Sequence, residues 1–201
     1  MTKNIIFDFG RVLVHFEEAD LTAAYISDKA DIELATPIIF DRLYWDKADA
    51  GTMRAEEIKR AFCKRLPKRL HESASLLYDN WYTLLQPIAG MPEIVRDLKK
   101  QGCKLYLLSN IDEEFADNYA RNDTVNRLFS MFDGLVFSAK VKMVKPQKEI
   151  FNFLLNTYGL NPQDCTFIDD SPKNLAAAES LGIKTYRFDG SPEHLRQFLW
   201  Q

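Results

Sequence analysis

The stretch that decides the fold is residues 91–110, MPEIVRDLKKQGCKLYLLSN. Ile94, Val95 and Leu98 share one helical face, Gly102 is placed to stop the helix, and residues 104–108 form a nearly continuous apolar run ending on Ser109-Asn110. Such a run, continuous rather than alternating, reads as a parallel strand buried on both faces. The unit recurs along the chain. A helical pattern over 146–158, carrying Ile150, Phe151, Leu154 and Leu155 and closing at Gly159, leads to Cys165-Thr166-Phe167-Ile168. A further pattern over 172–181, closing at Gly182, leads to a run over 184–188. Asn4-Ile5-Ile6-Phe7 supplies a first strand, and 134–138 a fifth. Helix, glycine and strand in alternation predict an α/β fold, doubly wound around a mostly parallel sheet.

Between the first strand and this series the pattern changes. Residues 16–85 show helical spacing, as in Ile38-Ile39-Leu43 and Ile58-Phe62-Leu66, and no convincing strand. Thr52, one turn before Glu56 and Glu57, marks a helix start nearby. The spacing therefore predicts a helical cap subdomain over 16–85, inserted after the first strand into a Rossmann-like core made of 1–15 and 86–201.

The chain of 201 residues, 46% hydrophobic and 27% charged, is long enough to bury a sizeable core. Its net charge of -3 gives no general attraction to nucleic acid or to an anionic membrane surface. The basic pairs Lys59-Arg60, Lys64-Arg65 and Lys68-Arg69 lie among helical apolar positions and read as the solvated side of a helix. Asp8 interrupts the first apolar run too early for a secretory signal, and no stretch approaches the roughly 18 apolar residues of a membrane span. Cys63, Cys103 and Cys165, odd in number and far apart, read as the reduced thiols of a cytoplasmic protein.

The polar residues of interest fall where such a sheet gathers ligands, at the carboxyl ends of its strands. Asp8 ends the first strand, Ser109-Asn110 the second, and Asp169-Asp170 the strand over 165–168; Lys145 stands just before the helix leading into that strand. Singly, each has an ordinary reading as a cap, a turn residue or a surface lysine. Jointly they suit phosphoryl chemistry. A carboxylate can attack phosphorus to give an aspartyl-phosphate, and a hydroxyl and an ammonium can carry the charge of the transferring group. Three acids in one site would repel a phosphate unless a divalent cation, Mg2+ above all, sits among them.

Four segments, in order, resemble the motifs of the haloacid dehalogenase-like hydrolase superfamily. They are Phe7-Asp8-Phe9-Gly10-Arg11-Val12-Leu13, Leu108-Ser109-Asn110, Lys145-Pro146-Gln147-Lys148-Glu149-Ile150-Phe151 and Ile168-Asp169-Asp170-Ser171-Pro172-Lys173-Asn174. The insertion is placed as in members with a small helical cap between the first and second motifs, and the resemblance covers essentially the whole chain. It implies Asp8 as nucleophile, Ser109 and Lys145 as holders of the phosphoryl group, and Asn110 as a further phosphate contact. It implies Asp8, the Gly10 carbonyl, Asp169 and Asp170 as Mg2+ ligands, with Asn174 orienting the acidic loop. The implied activity is magnesium-dependent hydrolysis of a small phosphorylated metabolite, such as a sugar phosphate, beneath the cap.

One position departs from that pattern. Phosphatases of the superfamily usually carry a second aspartate two residues after the nucleophile, as general acid and then base; here Gly10 stands there. General acid-base help contributes about 10²–10⁴-fold. Three explanations are open: a good leaving group such as an anomeric or acyl phosphate, a proton from His15 or a cap residue, or no hydrolysis at all. The last is the alternative reading, a regulatory member that keeps the phosphate and metal site and docks a protein partner through its cap. A 2-haloacid dehalogenase needs neither acid nor metal, but Asp169-Asp170 would repel its anionic substrate. Tyr44 and Trp45 read as cap core before substrate wall. His71 and His194 read as surface residues.

Overall fold

A computed structural model of the chain describes residues 4–200. Strands β1 (Asn4–Phe7), β2 (Lys104–Ser109), β3 (Gly134–Phe137), β4 (Cys165–Asp169) and β5 (Lys184–Arg187) form one parallel sheet in the order β3-β2-β1-β4-β5. The chain winds outward from β1 to β3, then crosses to β4 and β5 on the other side. The reversal falls between β1 and β4, the place where an open α/β sheet leaves a crevice at its carboxyl edge. Phe7 lies opposite both Leu107 and Ile168, so the residues that close β1, β2 and β4 emerge side by side.

Apolar residues on both faces explain the uninterrupted runs. Ile5, Phe7, Leu105 and Leu107 join one buried cluster, while Ile6, Tyr106, Leu108 and Phe167 join another on the opposite face. The helices α1 (Glu18–Ala23), α2 (Lys29–Ile39), α3 (Arg42–Asp49), α4 (Ala55–Cys63) and α5 (His71–Asn80) all lie between β1 and β2. Helix α6 (Met91–Lys100) enters β2, α7 (Glu113–Asn118) and α8 (Asp123–Phe129) connect β2 to β3, and α9 (Ser138–Val141) and α10 (Lys148–Tyr158) connect β3 to β4. Helix α11 (Pro172–Glu179) precedes β5, and α12 (Pro192–Leu199) follows it. The stop glycines behave as expected: Gly102, Gly159 and Gly182 adopt φ of 79°, 61° and 85°, which L side chains resist.

Helix starts moved where side chains compete for the backbone. Helix α4 begins at Ala55, because the Thr52 hydroxyl donates back to the Lys47 carbonyl at 3.0 Å; the Arg54 amide instead donates to the Glu57 carboxylate at 3.0 Å. Helix α10 begins at Lys148, two residues after the expected start, since Gln147 is extended and its amide closes a turn onto the Val144 carbonyl. Ser138 opens α9 instead of ending β3.

The α1–α5 insertion is welded to one sheet face by aromatic packing. Phe115 meets Phe9 at 5.0 Å and stacks on Trp81 at 5.7 Å, and Trp81 meets Phe16 at 5.6 Å and Trp45 at 5.5 Å. Trp45 is buried with its indole N–H donating to the Ile39 carbonyl at 2.7 Å, the core role expected of it. Several cations of the basic clusters close ion pairs within the insertion: Lys59 with Glu56 and Asp79, Arg65 with Asp41, Arg69 with Asp31. His194 is exposed, whereas His71 is half-buried with a ring nitrogen 2.9 Å from the Leu66 carbonyl. Among the described residues, Cys63, Cys103 and Cys165 form no disulfide. Among the described residues no helix is long and apolar enough to cross a membrane.

Candidate active site

Three strands bring the expected residues to one edge of the sheet. Asp8 follows β1, Ser109 closes β2, Asp169 closes β4 and Asp170 comes next. Lys145 arrives from the turn before α10, and its ammonium lies 2.7 Å from Asp8 Oδ1 and 2.8 Å from Asp169 Oδ2. Two acids and a lysine withdrawn from water are tolerable only as partners, because removing one leaves an uncompensated buried charge. Asp169 is fully buried and well held: the Ser171 amide donates to it at 2.8 Å, and Asn174 Nδ2 donates at 3.1 and 3.0 Å to its two oxygens. Asn174 therefore sits where it can orient the acidic loop.

Asp8, Asp169 and Asp170 each present a carboxylate oxygen within 4.8 Å of one another. One ammonium against three carboxylates leaves an excess of negative charge, and three hard oxygen donors fit a divalent cation of the magnesium kind. Without such a countercharge, burial pushes the Asp8 carboxyl up to about 7; Lys145 pulls it down and Asp169 pushes it up again. The Asp8 carboxylate also accepts the Phe9 amide at 2.6 Å, which fixes its orientation.

Ser109 and Asn110 differ in what their side chains are free to do. Ser109 is buried at the cavity wall, and among the described residues its hydroxyl makes no hydrogen bond. Asn110 is engaged at both ends: Nδ2 donates to the Lys145 carbonyl at 2.9 Å, and Oδ1 accepts the Lys145 amide at 2.8 Å. The amide expected to touch phosphate is thus used to fix the main chain that carries Lys145. Gly10 also borders the cavity, and nothing in the packing demands a glycine there: an added Cβ would meet only Phe16 Cβ, at 3.9 Å.

The cavity above these residues has a volume of about 630 Å³, with Asp8, Ser109, Lys145 and Asp170 on the sheet side. Its other wall comes from the insertion, through Phe16, Arg42, Trp45, Asp49 and Trp81. His15 is exposed and borders a neighbouring cleft with Arg11, Asp170 and Arg187 instead. Sequence reading missed Arg42, Asp49 and Trp81. A signal existed for Asp49. Helix α3 ends in Asp46 and Asp49, acids placed at the end of a helix where its dipole disfavours them, a local conflict of the kind that functional sites retain.

The haloacid dehalogenase-like hydrolase family model matches residues 2–182. A sesquiterpene phosphatase from Aspergillus oryzae is 25% identical over 181 residues, covering 90% of this chain and 87% of the relative. A D-ribitol-5-phosphate phosphatase from Bacteroides thetaiotaomicron is 26% identical over 198 residues, covering 93% of this chain and 92% of the relative. The solved structure of a predicted HAD-like family hydrolase from Porphyromonas gingivalis superposes with a TM-score of 0.69 at 26% identity, covering 100% of both chains.

Proposed function

Because the chain belongs to the haloacid dehalogenase-like hydrolase family, we propose that it is a magnesium-dependent phosphomonoester hydrolase acting on a small phosphorylated metabolite. The observation that carries this reading is the buried Lys145 ammonium, 2.7 Å from Asp8 and 2.8 Å from Asp169, beside a third carboxylate and an unpaired serine hydroxyl. Asp8 is the nucleophile: its carboxylate attacks phosphorus in line with the departing oxygen and forms an aspartyl-phosphate, which water then cleaves. The Ser109 hydroxyl and the Lys145 ammonium donate to the transferring phosphoryl oxygens, and Asn110 keeps Lys145 in place. Asp8, the Gly10 carbonyl, Asp169 and Asp170 would hold Mg2+, which would supply positive charge to keep Asp8 ionised and to balance the phosphoryl group.

The insertion over 16–85 serves as the cap of the core formed by 1–15 and 86–201, and it would close over a bound substrate to exclude bulk water. A wall combining Phe16, Trp45 and Trp81 with Arg42 and Asp49 suits a compact organic phosphate that bears both apolar and hydroxyl groups, a sugar phosphate among them. The two relatives described above are phosphatases, one named for a sesquiterpene and the other for D-ribitol 5-phosphate, and both names fit a small phosphorylated substrate. A cytoplasmic setting, in keeping with three cysteines that form no disulfide among the described residues, belongs to the same proposal.

Gly10 favours a second reading, a regulatory member that hydrolyses nothing. Its partner would dock on the cap, where Leu34, Leu43 and Leu76 are exposed. Phosphate release from a panel of metabolite phosphates, with Mg2+ and with chelator, separates the two. Metal-dependent turnover that the Asp8→Asn variant lacks supports the hydrolase. A folded, Mg2+-binding protein that releases no phosphate from any member of the panel contradicts it.

A further inference from the structure

Across the cavity from Asp8, the cap presents a second buried carboxylate whose ion pair, with Arg42, is long and shared with Asp46. Asp49 is 5% exposed, and its nearest cation, Arg42 Nη2, lies 3.7 Å away, beyond hydrogen-bond reach. Among the described residues the Asp49 side chain makes no hydrogen bond. A carboxylate desolvated in this way is costly unless it is neutral or does something with its proton.

The backbone that carries it is held from behind with unusual thoroughness. Ser138, fully buried after β3, donates its hydroxyl to the Asp49 carbonyl at 2.6 Å and accepts the Ile111 amide at 2.8 Å. Two residues on, Gly51 at φ +62° passes so close to the core that an added Cβ would lie 2.5 Å from the Ala139 carbonyl oxygen. Lys142 Nζ closes the contact by donating to the Gly51 carbonyl at 2.8 Å. The end of α3 is therefore fastened to the same framework that carries Ser109 and Asn110, and Asp49 has a fixed place in the wall of the cavity that Asp8 also lines.

Its ionisation suits a proton carrier. Burial pushes the Asp49 carboxyl up to about 7; Arg42 opposes this, while Asp112, Asp46 and Asp8 add to it. An acid poised near neutrality can both give and retrieve a proton.

We propose that Asp49, reaching the reacting centre from the cap, is the catalytic acid and base that Gly10 cannot be. The inference rests on the phosphatase reading and names the group that completes it. In the first step the Asp8 oxygen bonds to phosphorus as the bond from phosphorus to the ester oxygen breaks, and the Asp49 proton passes to that departing oxygen, which leaves as an alcohol. In the second step Asp49, now a carboxylate, takes a proton from water as the water oxygen bonds to phosphorus and the Asp8–phosphorus bond breaks. Inorganic phosphate departs, and Asp49 is protonated again.

Leaving-group dependence tests the assignment. The wild type, Asp49→Asn, and Asp49→Asn combined with Gly10→Asp are compared on p-nitrophenyl phosphate, whose leaving group needs no proton, and on a panel of alkyl phosphates. Asp49→Asn is expected to lose about 10²–10⁴-fold in kcat/KM, which reads the leaving-group step, on the alkyl phosphates and far less on the aryl ester, while kcat falls on both because the water step is shared. Gly10→Asp, for which the structure has room, is expected to restore part of the alkyl activity. Equal losses of kcat/KM on both ester classes, or a rise in KM with kcat unchanged, would make Asp49 a binding or structural residue and overturn the proposal. So would a wild type that turns over aryl phosphates alone. A wild type inactive on every ester would instead sink the phosphatase reading itself.

Discussion

Replacing Asn110 by alanine isolates what the Asn110 amide does. The Asn110→Ala variant loses two hydrogen bonds, of 2.9 and 2.8 Å, and leaves the amide and the carbonyl of Lys145 without those partners. A neutral hydrogen bond contributes about 1 kcal/mol net, and an abandoned buried group adds a desolvation penalty, so the variant should be destabilised by about 1–3 kcal/mol. In a chain of this length each kcal/mol moves the melting temperature by about 2–4 °C, which predicts a fall of about 2–12 °C. Urea and thermal unfolding in the absence of substrate measure this directly. Asn110→Asp should recover part of the loss, since a carboxylate still accepts the Lys145 amide but cannot donate to the Lys145 carbonyl. Both variants should lower kcat, because the lysine that carries phosphoryl charge is no longer held. An Asn110→Ala protein as stable as the wild type within about 0.5 kcal/mol, with only KM raised, would show that the amide serves the substrate and would refute the clamp.

Three further outcomes follow from other parts of the site and its supports. Lys145→Met strands the buried Asp8 and Asp169 carboxylates; it should cost about 3–5 kcal/mol in chelator and much less in Mg2+, as paired melting curves would show, and it should abolish turnover. Equal stability to wild type in chelator would contradict the charge balance described above. Gly51→Ala sets a side chain at φ +62° against a backbone carbonyl that cannot rotate away, so a loss of at least about 2 kcal/mol in urea unfolding is expected, and no loss would mean that the cap docks on the core less tightly than drawn. Acid titration should expose Asp133, whose carboxyl burial would raise but which the Lys99 ammonium, the Leu105 amide and the Lys104 ammonium bring down to about 2. Its folded form binds a proton less readily than the unfolded chain, so this support is complete above about pH 4 and fades as pH falls toward 2. Asp133→Asn should remove an acid-sensitive contribution of about 1 kcal/mol after solvent screening, and an unchanged acid limb of the stability curve would count against it.

The strands were legible because a parallel strand buried on both faces leaves an apolar run that little else explains, and 104–108 and 165–168 are such runs. The glycines at 102, 159 and 182 were legible for a local reason too, since a left-handed stop depends on one residue. Helix starts at 55 and 148 were less so. There the outcome turned on the Thr52 hydroxyl choosing the Lys47 carbonyl, and on Gln147 staying extended. Within the site, Asp8, Ser109, Asp169 and Asp170 were readable from their places at strand ends, and Lys145 from its place just before the helix leading into β4. The pair of hydrogen bonds between Asn110 and Lys145 was hidden, because it joins residues 35 apart in the chain. For Asp49 the acids at the end of α3 were a local hint, but its burial was hidden, because it depends on Ser138 and Gly51 meeting across the cap and core.

The central claim is that Asp8 becomes phosphorylated during turnover. Acid-quenching a reaction with p-nitrophenyl phosphate and Mg2+, then mapping the peptides by mass spectrometry, tests it most directly. A phosphoryl group is expected on the peptide containing Asp8, absent in chelator and absent from Asp8→Asn. Phosphate release that leaves Asp8 unmodified and persists in Asp8→Asn would contradict it.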